Sequence, residues 1–195
     1  MSSFTPRLTA PAANDPLWVM SAYGGYNDCI AGSNGPPSVL PNCTGYVHGR
    51  AMEIAGVTSD NLGLSFGNAA DYYSTSSPDW IQDSEPSLGA VVCYSQIGGW
   101  YPGHVSVVEE IIDADTITVS ESDYGGSYFT TWTCRRQWAW TPFSNPSDYL
   151  VEFIGFLKNP YVITTNPDAA KFAILMLAKK RKEEKNVIKR YSGII

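Results

Sequence analysis

Two residue types in this chain are scarce enough to count and reactive enough to matter: four cysteines (Cys29, Cys43, Cys93, Cys134) and two histidines (His48, His104). A thiol beside an imidazole makes a nucleophile for acyl transfer, in which the thiolate attacks a carbonyl carbon and the imidazole handles the proton. Cys43 is the cysteine best placed for that task. It follows Asn42, a good N-cap, and opens a run in which Val47, Ala51, Met52, Ile54 and Ala55 recur at helical spacing before Gly56 ends it. A helix N terminus carries positive partial charge and stabilises a thiolate. The plainer alternative is that Cys43 is a small buried hydrophobe, the common fate of a cysteine.

His48 lies five residues along the same helix, about 140° around its axis, and so points away from the thiol. His104 opens a strand behind the turn-like Trp100-Tyr-Pro-Gly103, where an imidazole can face a cleft. As a base it needs an acceptor on its other nitrogen, and Glu121 has the right parity if a turn is centred on Ala114 and Asp115. An ideal ladder, however, puts Glu121 opposite Val108, about 13 Å along from His104, so a bulge, strong coiling or another register is required. Asn42 has two compatible readings: a plain cap, or a cap whose amide also helps the Cys43 N–H hold an oxyanion. The acidic cluster Glu109, Glu110, Asp113, Asp115 and Glu121 raises a rival, glycosidic cleavage by paired carboxylates, although neighbours on a strand face opposite ways.

These groups need elements to hold them. Residues 43–56 read as the helix, and 89–94, 104–112 and 117–121 read as strands, with 113–116 as a turn. Residues 132–140 and 150–157 are further strand candidates. One helix packed on a small antiparallel sheet is an α+β pattern. Residues 1–42, rich in Pro, Gly, Asn and Ser, favour turns and extended chain ahead of it. Beyond Pro160 the pattern changes to a predicted helix over 168–189, apolar from Phe172 to Ala178 and then basic.

With 195 residues, 44% hydrophobic and 13% aromatic, the chain has material for a full core. No run of 18 apolar residues predicts a membrane span, and Met1 to Asn14 lacks the basic start and apolar stretch of a signal peptide. A disulfide framework is therefore not expected, and without a CxxC pair neither is a structural zinc site. Residues 1–166 hold five Lys/Arg against sixteen Asp/Glu, about −11, whereas residues 167–195 hold eight against three, about +5. So acidic a body argues against nucleic-acid binding.

Four segments occur in order: Pro41-Asn-Cys-Thr-Gly-Tyr-Val-His-Gly-Arg50, Gly89-Ala-Val-Val, Gly103-His-Val-Ser-Val-Val-Glu-Glu110 and Ser120-Glu-Ser-Asp-Tyr-Gly125. Together they resemble the CHAP family, the cysteine- and histidine-dependent amidohydrolases/peptidases, over roughly Gly24 to Pro160. The resemblance implies a papain-like fold, peptidoglycan as substrate and partner, and a catalytic Cys, His and Glu at Cys43, His104 and Glu121. Asp123 stands where the family often has Asn; it can accept a hydrogen bond but not donate one. Trp100, Tyr101 and Tyr124 are candidate substrate-binding aromatics. Some members bind calcium before the nucleophile, but only Asn27 and Asp28 offer side-chain oxygens here, and no metal or other cofactor is expected.

Gly24-Gly-Tyr-Asn-Asp-Cys-Ile30 and the Val39 to Cys43 spacing look most like CHAP domains of phages that infect Gram-positive bacteria. The resulting organisation is an N-terminal extension (1–23), a catalytic domain (24–160) and a helical tail (161–195), with 167–195 a candidate docking segment for other virion proteins. The expected location is a phage tail, or the host cytoplasm followed by action at the cell wall. The non-enzymatic alternative is a structural or wall-binding phage component that keeps the fold.

Overall fold

The computed structural model describes residues 4–24, 27–97, 102–143 and 151–162. All of them belong to one unit that ends at Val162. The expected tail helix, and the aromatics Trp100 and Tyr101, lie outside the described residues.

Helix α1 (Cys43–Ala55) begins and ends where the cap residues predict. The Asn42 side chain accepts from the Thr44 N–H, and Gly56 takes a left-handed φ of 70° with its N–H turned back to the Glu53 and Met52 carbonyls. A second helix, α2 (Tyr72–Thr75), is a single turn. Six strands follow: β1 (Ile81–Asp83), β2 (Val91–Gln96), β3 (His104–Asp113), β4 (Thr116–Glu121), β5 (Thr130–Arg135) and β6 (Val151–Lys158). They form one sheet in the order β1-β6-β2-β3-β4-β5, with every neighbouring pair antiparallel. The expected α+β pattern of helix on antiparallel sheet is what the chain adopts.

The sheet is covered on both faces, which is why the first six residues of β3 are all buried. Val105 and Val107 point into a core shared with Tyr46, Val47 and Met52 of α1. Val108, Ile117 and Val119 point the other way, into a second core with Tyr94, Trp140 and Phe156. Alternation along each strand thus sorts side chains between two apolar layers.

The lead-in is turns and extended chain, as its composition predicts: two short 3-10 turns (Pro16–Trp18, Met20–Tyr23) and an isolated bridge between Val19 and Ser38. It presses directly on α1. A Cβ on Gly45 would lie 2.4 Å from the Val39 carbonyl oxygen, and one on Gly49 would lie 2.4 Å from Trp18 Nε1. Spaced by four residues, these glycines share one helix face and make a notch that only a hydrogen side chain allows.

Opposite that notch, α1 is tied to the sheet by a buried polar network. Arg50 donates to both oxygens of Glu109 (2.9 and 2.8 Å), to Glu53 (2.6 Å) and to the Thr5 carbonyl (2.6 Å). Glu109 is completely buried and also accepts from the Ser120 hydroxyl at 2.6 Å, which in turn accepts from Tyr46 Oη at 2.7 Å. Burial and the Glu109 charge together push the Tyr46 phenol upward, keeping it a donor.

The β3–β4 hairpin departs from an ideal ladder at two places. Pairs run Asp113↔Thr116, Ile111↔Ile117, Glu110↔Thr118, Val108↔Val119 and Val107↔Ser120. Ile112 and Glu109 are therefore extra residues, one at each irregularity. A regular ladder starting from Asp113↔Thr116 would place Val107 opposite Ser122; the two bulges move that partner back to Ser120. Continued one step, the observed register sets Glu121 opposite Ser106, two residues from His104. The gap of an ideal hairpin is closed by this pair of bulges.

Candidate active site

Cys43 is the first residue of α1 and lies almost fully inside, with 8% of its surface exposed. Its position is fixed by the cap below it. The Thr44 hydroxyl donates to the Cys29 carbonyl and at 2.7 Å to Asn42 Oδ1, while the Asn42 amide donates to the Cys29 carbonyl (3.2 Å) and the Ala31 carbonyl (2.8 Å). The Asn42 amide hydrogens are thus committed to two lead-in carbonyls. In this structure the Asn42 side chain serves as the helix cap, and the Cys43 backbone N–H is among the first-turn donors that have no partner within the helix.

His104 begins β3, opposite Tyr94 of β2, with the two rings 6.1 Å apart. Its Nε2 meets Glu121 Oε2 at 2.8 Å, with both side chains only 7% exposed. Cys43 also acts on the imidazole, favouring its protonated form. Burial by itself would depress the imidazole, but the Glu121 charge and the hydrogen bonds with Cys43 and Glu121 outweigh it and hold His104 well above its ordinary 6.5.

The pH consequence has a definite sign. The folded chain keeps a proton on His104 that the unfolded chain releases near 6.5. This contribution to stability is complete below that pH and is lost as pH rises through the higher folded-state value. Urea unfolding midpoints of the parent are expected to fall across this alkaline interval, and those of His104→Gln to lack that component. Identical pH profiles for the two proteins would contradict the assignment.

Glu121 is the last residue of β4, and each of its neighbours also reaches the helix start. Ser120 meets Tyr46, and Ser122 Oγ accepts from the Asn42 N–H at 3.1 Å while donating to the Ser127 carbonyl at 3.2 Å. The strand end that carries the carboxylate is therefore pinned to the cap that carries the thiol.

Asp123 follows the last residue of β4 by two positions. It sits in the following turn, where its N–H bonds the Ser127 carbonyl at 2.9 Å, and a Cβ on Gly126 would lie 2.7 Å from its Oδ2. Tyr124 is 62% exposed on that turn. His48, as its helical phase predicts, is elsewhere: fully buried, on the Asp60 carboxylate through Nδ1 and 3.0 Å from the Ser65 carbonyl through Nε2.

Four carboxylates of the acidic cluster have partners of other kinds. Glu109 is held by Arg50, Glu121 by His104, Asp113 by the Asp115 N–H and Asp115 by Arg136. Asn27 Oδ1 accepts from the Cys29 N–H at 2.9 Å. Among the described residues no three His, Cys, Asp or Glu side chains are grouped to hold a metal ion, and no helix is long and apolar enough to cross a membrane.

The helix-start cysteine, the imidazole at a strand start and the carboxylate from the next strand all fall inside the span that a known family matches. The CHAP domain family model matches residues 32–123, a span that contains Cys43, His104 and Glu121. The chain is also 33% identical, over 102 residues, to Probable autolysin LDP of Staphylococcus aureus (strain NCTC 8325 / PS 47). That alignment covers 52% of this chain and 34% of the relative, so the chain spans about a third of the length of the protein it matches.

Proposed function

We propose that this domain is a peptidoglycan hydrolase that cleaves an amide bond through a cysteine thioester. The observation that carries the reading is His104, 2.8 Å from Glu121 and raised by both Glu121 and Cys43, the residue that opens a helix. The CHAP match and the autolysin relative support the wall as the substrate.

In the reaction, the Cys43 thiolate attacks the amide carbon and the Cys43 N–H stabilises the oxyanion. The C–N bond breaks as His104 gives its proton to the departing amine, leaving a thioester on Cys43. His104 then takes a proton from water, the resulting hydroxide attacks the thioester, and the thiolate leaves with the acid released. Glu121 orients the imidazole and stabilises its charged form throughout. The amide is that of the stem peptide, the cross-bridge or the N-acetylmuramoyl-L-alanine junction.

Digestion of purified Gram-positive cell walls tests the chemistry. New amine termini without new reducing sugar ends are expected; reducing ends in their place would mean glycosidic cleavage and overturn the reading.

We further infer a phage setting, in a virion tail or as an endolysin. The Gly24 to Ile30 lead-in and the apolar-then-basic composition of residues 167–195, suited to docking on other virion proteins, support it. Mass spectrometry of purified particles decides this: absence of the chain from them removes the virion assignment.

A further inference from the structure

The carboxylate of Glu121 has two oxygens, and the reaction uses only one. While Oε2 faces His104, Oε1 accepts from the indole Nε1–H of Trp132 at 2.7 Å. Trp132 lies on β5 opposite Val119 of β4, and Glu121 is opposite Thr130, so the indole reaches diagonally along the same face of the sheet. Its ring also packs on Phe143, with centroids 5.9 Å apart.

Three properties of an indole make this contact more than packing. Indole nitrogen is donor-only, so its one contribution to this contact is an N–H aimed at a carboxylate lone pair. A carboxyl group rotates freely about its last torsion, which has broad, two-fold wells, and a second anchored oxygen removes that freedom. A donor to a carboxylate stabilises its charged form, so the proton shared across the His104–Glu121 contact is kept on the imidazole.

Resting on the reading of Cys43, His104 and Glu121 as the reaction centre, we propose that Trp132 is a positioning residue for it. Its indole N–H fixes the rotation and the ionised state of Glu121, and through Glu121 sustains the imidazolium that holds Cys43 as a thiolate. The effect travels across one strand pair, from the sheet edge to the helix start.

The test reads the thiol and needs no wall substrate. Alkylation of Cys43 by iodoacetamide is followed by mass spectrometry of the Cys43 peptide across pH, which separates it from the partly exposed Cys29. The parent is expected to react rapidly at about pH 6, where an ordinary thiol does not. Trp132→Phe keeps an aromatic ring against Phe143 but has no N–H; it is expected to react about tenfold more slowly there, with its profile moved to higher pH. Trp132→Met, with a different shape and the same missing donor, is expected to match it. In a Glu121→Ala background Trp132→Phe should cause no further loss, because its only route of action is gone.

A Trp132→Phe profile that superimposes on the parent's overturns the proposal, as do losses that multiply in the double variant. A parent whose Cys43 reacts as an ordinary thiol overturns the reaction centre itself, a result distinguishable from the failure of Trp132 alone.

Discussion

Cys43→Ala is expected to lower the rate of wall digestion by roughly 10⁴-fold or more while leaving the fold intact. All of the proposed bond-making passes through the sulfur, so the variant retains substrate binding and the Cys43 N–H but has no atom to form the thioester. The fold should be indifferent because the cap that positions this residue is made by Asn42, Thr44 and the lead-in carbonyls, not by the thiol. A change in unfolding free energy of no more than about 1 kcal/mol is expected for so small a truncation. Turbidity loss of purified walls and a urea titration, run on the same preparation, measure both halves. Lysis at the parent rate would eliminate Cys43 as the nucleophile.

The largest effect on stability is expected at a residue that takes no part in the chemistry. Arg50→Ala leaves the Glu109 carboxylate, with no exposed surface, facing only Ser120 and the Arg7 N–H at 2.8 Å. Removing one partner of a buried pair costs on the order of 3–5 kcal/mol, mostly the penalty of an uncompensated charge. Replacing both partners by apolar groups, as in Arg50→Met with Glu109→Leu, is expected to recover a large part of that loss. Urea midpoints of the single and double variants check it; a single variant within about 1 kcal/mol of the parent would show that the network is not what holds α1 to β3.

The parts of the site legible in the sequence are those that depend on neighbours in the chain. Asn42 before Cys43, the apolar spacing of 47–55 and Gly56 specify α1 locally, and that is where it forms. The same holds for the hairpin from His104 to Glu121, with its turn at Ala114 and Asp115. What was illegible depends on partners far along the chain. The fate of the Asn42 amide rests on where the Cys29 and Ala31 carbonyls arrive, and nothing in residues 27–31 announces that. β1 is only three residues long, with two of them exposed, and shows no usable alternation.

The expected strand over 132–140 ends at Arg135, because a 3-10 turn (Arg136–Trp138) intervenes and Ala139 and Trp140 take positive φ angles of 50° and 55°. Non-glycine residues adopt that region rarely, so no propensity would place it there. Trp132 carried a faint signal, a large aromatic on a strand pairing with the one that ends in Glu121, but its diagonal reach emerges only from the β4–β5 register.

The two bulges in β3 make chain length in this hairpin a question of odd and even. With both present, Glu121 comes opposite Ser106, on the face that His104 occupies. With one lost, it would come opposite Val107, whose side chain belongs to the α1 core, and the carboxylate would emerge on the wrong side of the sheet. With both lost it would return to the correct side, opposite Val108 and four residues from the imidazole. Those shifts hold at constant chain length; removal of the extra residue itself, such as Ile112, which is 58% exposed, would regularise the ladder and leave the pairs from Ile111↔Ile117 to Val107↔Ser120 in place. The reach from base to carboxylate is therefore set by a count of residues: the hairpin tolerates a change of length at its two extra residues, Glu109 and Ile112, and not between paired ones.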